Sequence, residues 1–446
     1  MALPNVTINT LSTLIAEFSP MKFVNTINNM SPLLGSGALE KVEQDGEELV
    51  ITADVGESAA TTYALDFDRR PNGQTTTPVK ARFVPTMVST RVSLGKQAVL
   101  VKMADKGLTE LVNAKLDASA KSVARQIGRG IYTAGNVVPN SAVPTWSGTA
   151  ADSTVTLDFV DGSLFIPGAS YNFVDTSAAL SYTVRCSQKV AAVVGASSAN
   201  VGASVTFIND VINPATGAVV ALGATAIAVN DIFALRGTFP GFGGNATAIA
   251  GKRLNSFDDI AGSGAALTFG GIAPASLPGW VGQTIALGAA YSHEVALQFD
   301  ARITQYSGEQ FTDALMSPQV AAAHRIQAGA MGAVFGMTLQ PTAQRPQPLG
   351  AKADKYGDVR GSGMDLAGRP VLVDPNCPQT VVVFHNRDHV KLGVWQEMAP
   401  EEDTEAGGIM RNNRDTFQID CDFTGSYQLF CGKRGAIGMM TGLTGL

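Results

Sequence analysis

The sequence predicts an α+β chain of several domains that leaves part of its surface to be completed by neighbours. Three observations carry that reading. Residues 41–102 hold extended runs around a polar turn, residues 104–133 repeat apolar side chains at helical spacing, and residues 150–250 contain only nine charged side chains among short Val-, Thr- and Ile-rich runs. At 446 residues the chain is too long for one small core and divides into two or three domains of roughly 150 residues each. Hydrophobic residues make up 45% and charged residues only 16%, so much of the surface is expected to lie against other protein.

The first 40 residues hold short apolar pieces broken by Pro4, Pro20 and Pro32, too interrupted for a core of their own, and are expected to dock elsewhere. The start has no basic segment followed by a continuous apolar one, which argues against a secretory signal. Extended runs follow at Leu49–Thr52, Tyr63–Phe67, Val79–Val84 and Thr90–Leu94. Between the second and third lies Arg69-Arg70-Pro71-Asn72-Gly73, a strong turn signal, so the segment reads as a long two-stranded arm with a flexible tip. Such a hairpin is marginal in water if isolated.

Leu108, Val112, Leu116, Ala120, Val123, Ile127 and Ile131 recur at three- and four-residue steps and define one face of a helix from about Ala104 to Thr133. Its opposite side carries Lys121, Arg125 and Arg129, a positive stripe that reads as a solvated face or as a contact for nucleic acid or an acidic partner. The region after it reads as an all-β insert, with strands at Thr154–Leu157, Tyr182–Arg185, Ser204–Ile208 and Ala226–Val229. Beyond it come a helix from about His293 to Tyr306 capped by Ser292, a strand at Thr312–Met316, and a helix opened by Ser317-Pro318. The last 80 residues return to strands at Pro370–Asp374, Thr380–Phe384 and Val390–Val394. Phe417 to Phe423 alternate with Gln418, Asp420 and Asp422 as a strand with one wet face; Thr424-Gly425-Ser426 then reads as a turn into Tyr427–Cys431, which makes Cys421 and Cys431 diagonal neighbours unsuited to a disulfide.

Chemical motifs are few. The four cysteines, Cys186, Cys377, Cys421 and Cys431, form no CxxC pair and no disulfide framework. His385 and His389 are four apart but lack the Glu a zincin needs, and read as polar loop histidines. No GxSxG is present, and Gly244 to Lys252 fails the phosphate-loop spacing because Ala246 stands where the first Gly belongs. The acidic run Glu397, Glu401, Glu402, Asp403 and Glu405 reads as a solvated or partner-facing loop. No catalytic residue, cofactor site or metal site is assigned. The net charge of −6, from 32 basic and 38 acidic residues, argues against a dedicated nucleic-acid binder while allowing weak contacts to a polyanion.

The order of these elements resembles the major capsid protein of tailed bacteriophages, the Hong Kong 97 fold. Residues 41–98 resemble its extended E-loop and 103–134 the long spine helix of its P domain. Leu254–Ile260, the Gly-Gly-Ile-Ala-Pro run at 270–274 and Trp280 resemble its passage from short helix through glycine-rich loop to Trp. Thr312–Gln319 resembles the axial (A) domain strand entering a helix, and Gly368–Pro378 a late strand and turn of the family. The resemblance divides the chain into an N-terminal arm (1–40), E-loop and P-domain strands (41–102), spine helix and linker (103–149), a β-rich insertion domain (150–245), an A domain (246–375) and C-terminal strands returning through both domains (376–446). It implies a non-enzymatic shell protein of the virion, assembled in the host bacterial cytoplasm as pentamers and hexamers around packaged double-stranded DNA. Its implied partners are a separate scaffolding protein, a portal and a decoration or cement protein, with no membrane and no cofactor. In that setting the Arg69–Gly73 tip is an intersubunit contact, and Lys121, Arg125 and Arg129 face the lumen. The alternatives are an encapsulin-like bacterial compartment and a β-rich extracellular hydrolase or adhesin.

Overall fold

The computed structural model describes residues 24–26, 31–35, 37–53, 79–95, 105–133, 136–137, 154–159, 165, 167–168, 170–178, 181–195, 203–209, 232–235, 254–262, 268–274, 277, 280–334, 365–401, 411–413 and 418–443. They form a mixed helix and strand structure with three larger sheets and a two-stranded ribbon.

The first sheet is centred on β18 (Gln418–Cys431). One edge of β18 pairs antiparallel with β4 (Thr86–Gly95); the other carries β16 (Val390–Pro400) and, further along, β17 (Arg411–Asn413). β1 (Glu40–Glu43) adds parallel to β16, so segments from both ends of the sequence share one sheet. Helix α2 (Asp105–Thr133) lies against this sheet: Val112, Leu116, Val123, Ile127 and Ile131 are buried with Val92, Leu94, Leu392 and Leu429 in one core.

β18 overturns one expectation. The proposed turn at Thr424-Gly425-Ser426 is absent, and buried residues continue in phase through Cys421, Phe423, Gly425, Tyr427, Leu429 and Cys431. Gly425 marks a close approach: a Cβ there would stand 2.8 Å from both Met398 and Tyr427. Cys421 and Cys431 therefore share a face about 33 Å apart instead of facing each other across a hairpin. Burial pushes both thiols up to about 12. Asp420, expected on a wet face, is only 5% exposed because β4 and β17 flank it.

The second sheet runs β11 (Gln283–Ala286), β19 (Gly438–Thr441), β15 (Val382–His385), β12 (Asp313–Met316), β14 (Arg369–Val373) and β13 (Asp365–Leu366). All four residues of β12 and of β15 are buried, because this sheet is covered on both faces. Leu315 and Val383 join the core of the first sheet, while Ala314, Met316, Val382 and Phe384 face a second core with Phe299 and Ile303 of α4 (His293–Ser307) and Val320 of α5 (Pro318–Val334). Both helices begin as the sequence predicts: Ser292 Oγ accepts from the Val295 amide at 3.5 Å and Ser317 Oγ from the Val320 amide at 3.3 Å.

The N-terminal segment docks where the two sheets meet. Leu33 and Leu34 of the short helix α1 (Pro32–Gly35), with Ala38 and Leu39, enter the larger core. His385 Nε2 donates to the Ala38 carbonyl at 2.8 Å, so this histidine is fully buried and not a loop residue.

The third sheet is antiparallel, in the order β5 (Asn136–Val137), β10 (Ile232–Leu235), β7 (Ser170–Ala178), β8 (Ser181–Gly195), β9 (Ala203–Asn209) and β6 (Thr154–Phe159). Its first strand lies ahead of residue 150. Phe165 sits edge-on to Tyr171 and Phe207, at 5.0 and 5.6 Å between ring centres, in a small core apart from the other two. The expected strand Ala226–Val229 lies outside the described residues.

Candidate assembly surfaces

The arm is anchored at its base. β2 (Leu49–Thr52) and β3 (Lys80–Phe83) pair antiparallel, and alternation divides their side chains. Ala81 and Phe83 point inward, where Phe83 meets Phe269 edge-on at 5.2 Å. The Arg82 amide donates to the Gly270 carbonyl at 2.9 Å. Gly270 has φ 59°, and a Cβ there would come within 2.9 Å of Ala81 and Phe83, so glycine is required on both counts. Outward lie Val50, Val84 and, at the start of β4, Met87, which is 70% exposed. The run Tyr63–Phe67 and the tip Arg69, Arg70, Pro71, Asn72 and Gly73 lie outside the described residues.

On α2 the structure separates the positive stripe. Lys121 and Arg125 are exposed, while Arg129 is half-buried. The buried arc widens toward the C-terminal end because this end enters the junction between the two sheets. A Cβ on Gly128 would come within 2.8 Å of the Asn376 side chain, and Tyr132 donates to Asp374 Oδ2 at 3.0 Å. Gly128 thus allows close approach, and the helix runs through it unbroken.

The face of the first sheet opposite α2 carries a concavity of about 560 Å³ lined by Met87, Ser89, Arg91, Glu401, Asp422 and Thr424. Arg91 binds Asp422 through two bonds, of 2.6 and 2.9 Å. Of the acidic run, Glu397 lies within β16 and not in a loop: it accepts from Lys41 Nζ at 3.2 Å and from the Tyr427 hydroxyl at 3.0 Å. Glu402, Asp403 and Glu405 lie outside the described residues.

The titratable groups near the junction are bonded to one another and to the main chain. Glu309 accepts from Lys433 Nζ at 2.8 Å and pairs with His389 Nε2 at 2.5 Å. The Asp374 carboxyl, at the end of β14, accepts from the Asn376 amide at 2.8 Å, yet burial dominates and lifts it to about 6. Burial lowers His385 to about 4. The signs oppose each other. Asp374, raised above its ordinary 3.8, contributes stability present below that value and lost as pH rises through 6; His385, lowered from 6.5, contributes stability present above 6.5 and lost as pH falls through 4. Asp374→Asn should therefore leave the His385 contribution unopposed and steepen the loss of stability between pH 6.5 and 4, read by urea unfolding across that range. Equal slopes for variant and parent would contradict the assignment.

Sequence reasoning missed two buried polar clamps, since neither has a local signal. Gln428 Nε2 donates to the Val84 carbonyl at 2.9 Å while its Oε1 accepts from the Asn255 amide at 2.6 Å, tying β18 to the end of the ribbon and to the 254–256 segment. Arg434 is fully buried and donates to the carbonyls of Ile260, Trp280 and Asp259 at 3.1, 3.2 and 2.9 Å. Trp280, noted in the sequence, is buried beside it and donates to the Phe269 carbonyl at 3.0 Å. Among the described residues no helix is long and apolar enough to cross a membrane.

No family model and no curated protein matches this sequence. The solved structures to which the chain bears some likeness include capsid and particle proteins. The capsid asymmetric unit of cyanophage A-1(L) is 12% identical at a TM-score of 0.48, covering 93% of each chain. The virus-like particle from Pyrococcus furiosus is 7% identical at 0.40, covering 95% of this chain and 98% of its own. The procapsid of satellite phage P4 is 7% identical at 0.37, covering 95% and 90%. Likenesses at this level assign no function by themselves.

Proposed function

We propose that this chain is a structural shell protein, and more specifically a major capsid protein of the Hong Kong 97 type. Its copies would form pentamers and hexamers of an icosahedral virion shell around the double-stranded DNA of a tailed bacteriophage. The observation that carries the reading is the arrangement around α2: a 29-residue helix laid on a sheet built from segments near both ends of the chain, preceded by a ribbon whose base is anchored against Phe269 and Gly270. In this layout the first sheet with α2 is the P domain, the second sheet with α4 and α5 the A domain, and the third an inserted β domain. A separate scaffolding protein, a portal and a decoration protein are the partners of such a shell, assembled in the bacterial cytoplasm. Sedimentation velocity of the chain purified after co-expression with the proposed scaffold tests the reading: closed assemblies of many copies support it, and a population of monomers under those conditions contradicts it. Particles that retain enzyme cargo and exclude DNA would point instead to an encapsulin-like compartment.

Within that shell, Lys121, Arg125 and Arg129 supply weak, sequence-independent attraction to packaged DNA or to the scaffold. Changing all three to Gln keeps helix propensity while removing charge. The triple variant is expected to fold but to assemble or retain scaffold less efficiently at low salt, with the difference shrinking at high salt. Equal assembly across the salt range would make the stripe a solvated face.

A further inference from the structure

The start of α4 and the middle of α5 bring two imidazoles together away from the surfaces described above. His293 Nδ1 and His324 Nδ1 are 3.3 Å apart, and the Tyr291 hydroxyl lies 2.9 Å from the same His324 nitrogen. The ring centres are 5.0 Å apart with the planes inclined by 41°. Without a ligand, this contact requires one Nδ1 to carry a proton and the other a lone pair. A tetrahedral zinc ion bound at about 2.0–2.1 Å by two imidazoles would itself hold the two nitrogens about 3.3 Å apart.

The main chain that carries His293 is held in place, and the His324 ring is bonded by the Tyr291 hydroxyl. Gln327 Oε1 accepts from the His293 amide at 2.9 Å, and its Nε2 donates to the Tyr291 carbonyl at 2.6 Å, so one side chain of α5 clamps the residues on either side of the Ser292 cap. His293 is half-buried and reachable from solvent. The exposed Glu294 in the first turn offsets the positive helix N-terminus.

We propose that His293 and His324 form a binding site for a divalent transition metal of the zinc class. Among the described residues no group of three His, Cys, Asp or Glu side chains converges, so water fills the remaining positions. The site links the first turn of α4 to α5 and is independent of the shell reading.

Calorimetric titration of the full-length chain with Zn²⁺ tests it, alongside His293→Gln and a control, His389→Gln. His293→Gln keeps the main-chain bond to Gln327, and circular dichroism verifies that it folds. The expected result is one saturable equivalent of Zn²⁺ per chain, weakened about ten-fold or more by His293→Gln and unchanged by His389→Gln. No saturable binding, or equal affinity in parent and His293→Gln, would overturn the proposal.

Discussion

Replacing Arg434 with Met is expected to destabilise the folded chain by about 3 kcal/mol or more, because three buried main-chain carbonyls lose their donor at about 1–3 kcal/mol each. The guanidinium draws together the last carbonyls of α3 (Phe257–Ala261) and the Trp280 carbonyl, and lies over the Phe269 ring at 5.0 Å. Burial lowers its pKa only to about 10, so it remains charged at neutral pH. A cation at a helix C-terminus is favourable, and the fork of donors serves three acceptors at once. Arg434→Lys retains the charge without the fork and should recover only a minor part of the loss. Denaturant midpoints of the two variants check this; a change below about 1 kcal/mol for Arg434→Met would show that Met packing compensates for all three bonds.

Deleting Ala64 to Thr77 should separate folding from assembly. The deletion removes the Arg69–Gly73 tip but leaves β2, β3 and their contacts with Phe269 and Gly270 in place. The expected product is a folded chain, with an unfolding midpoint close to the parent's, that forms no closed shells. Normal particles from this variant would remove the arm from the account of assembly.

The elements legible in the sequence are those whose signal is local. The apolar repeat of α2, the Ser292 and Ser317 caps and the extended runs of β2, β12 and β14 each depend on neighbours a few residues away. The misreadings share another cause. Gly425 looks like a turn in isolation, but it lies in a strand because Met398 and Tyr427 occupy the space a side chain would need. Asp420 and His385 look solvated until strands and segments distant in sequence cover them. Arg434 and Gln428 gain their roles only from partners more than 100 residues away. Of the candidate surfaces, the positive stripe on α2 is legible from its four-residue spacing. The half-burial of Arg129 is not, because it depends on where the helix end enters the junction with the second sheet.

Electron microscopy of the protein purified from cells expressing it with the proposed scaffolding protein tests the central claim most directly. The account predicts closed particles with icosahedral symmetry, in which the far part of each arm crosses onto an adjacent subunit. Dispersed monomers, or particles in which every arm folds back on its own chain, would contradict it.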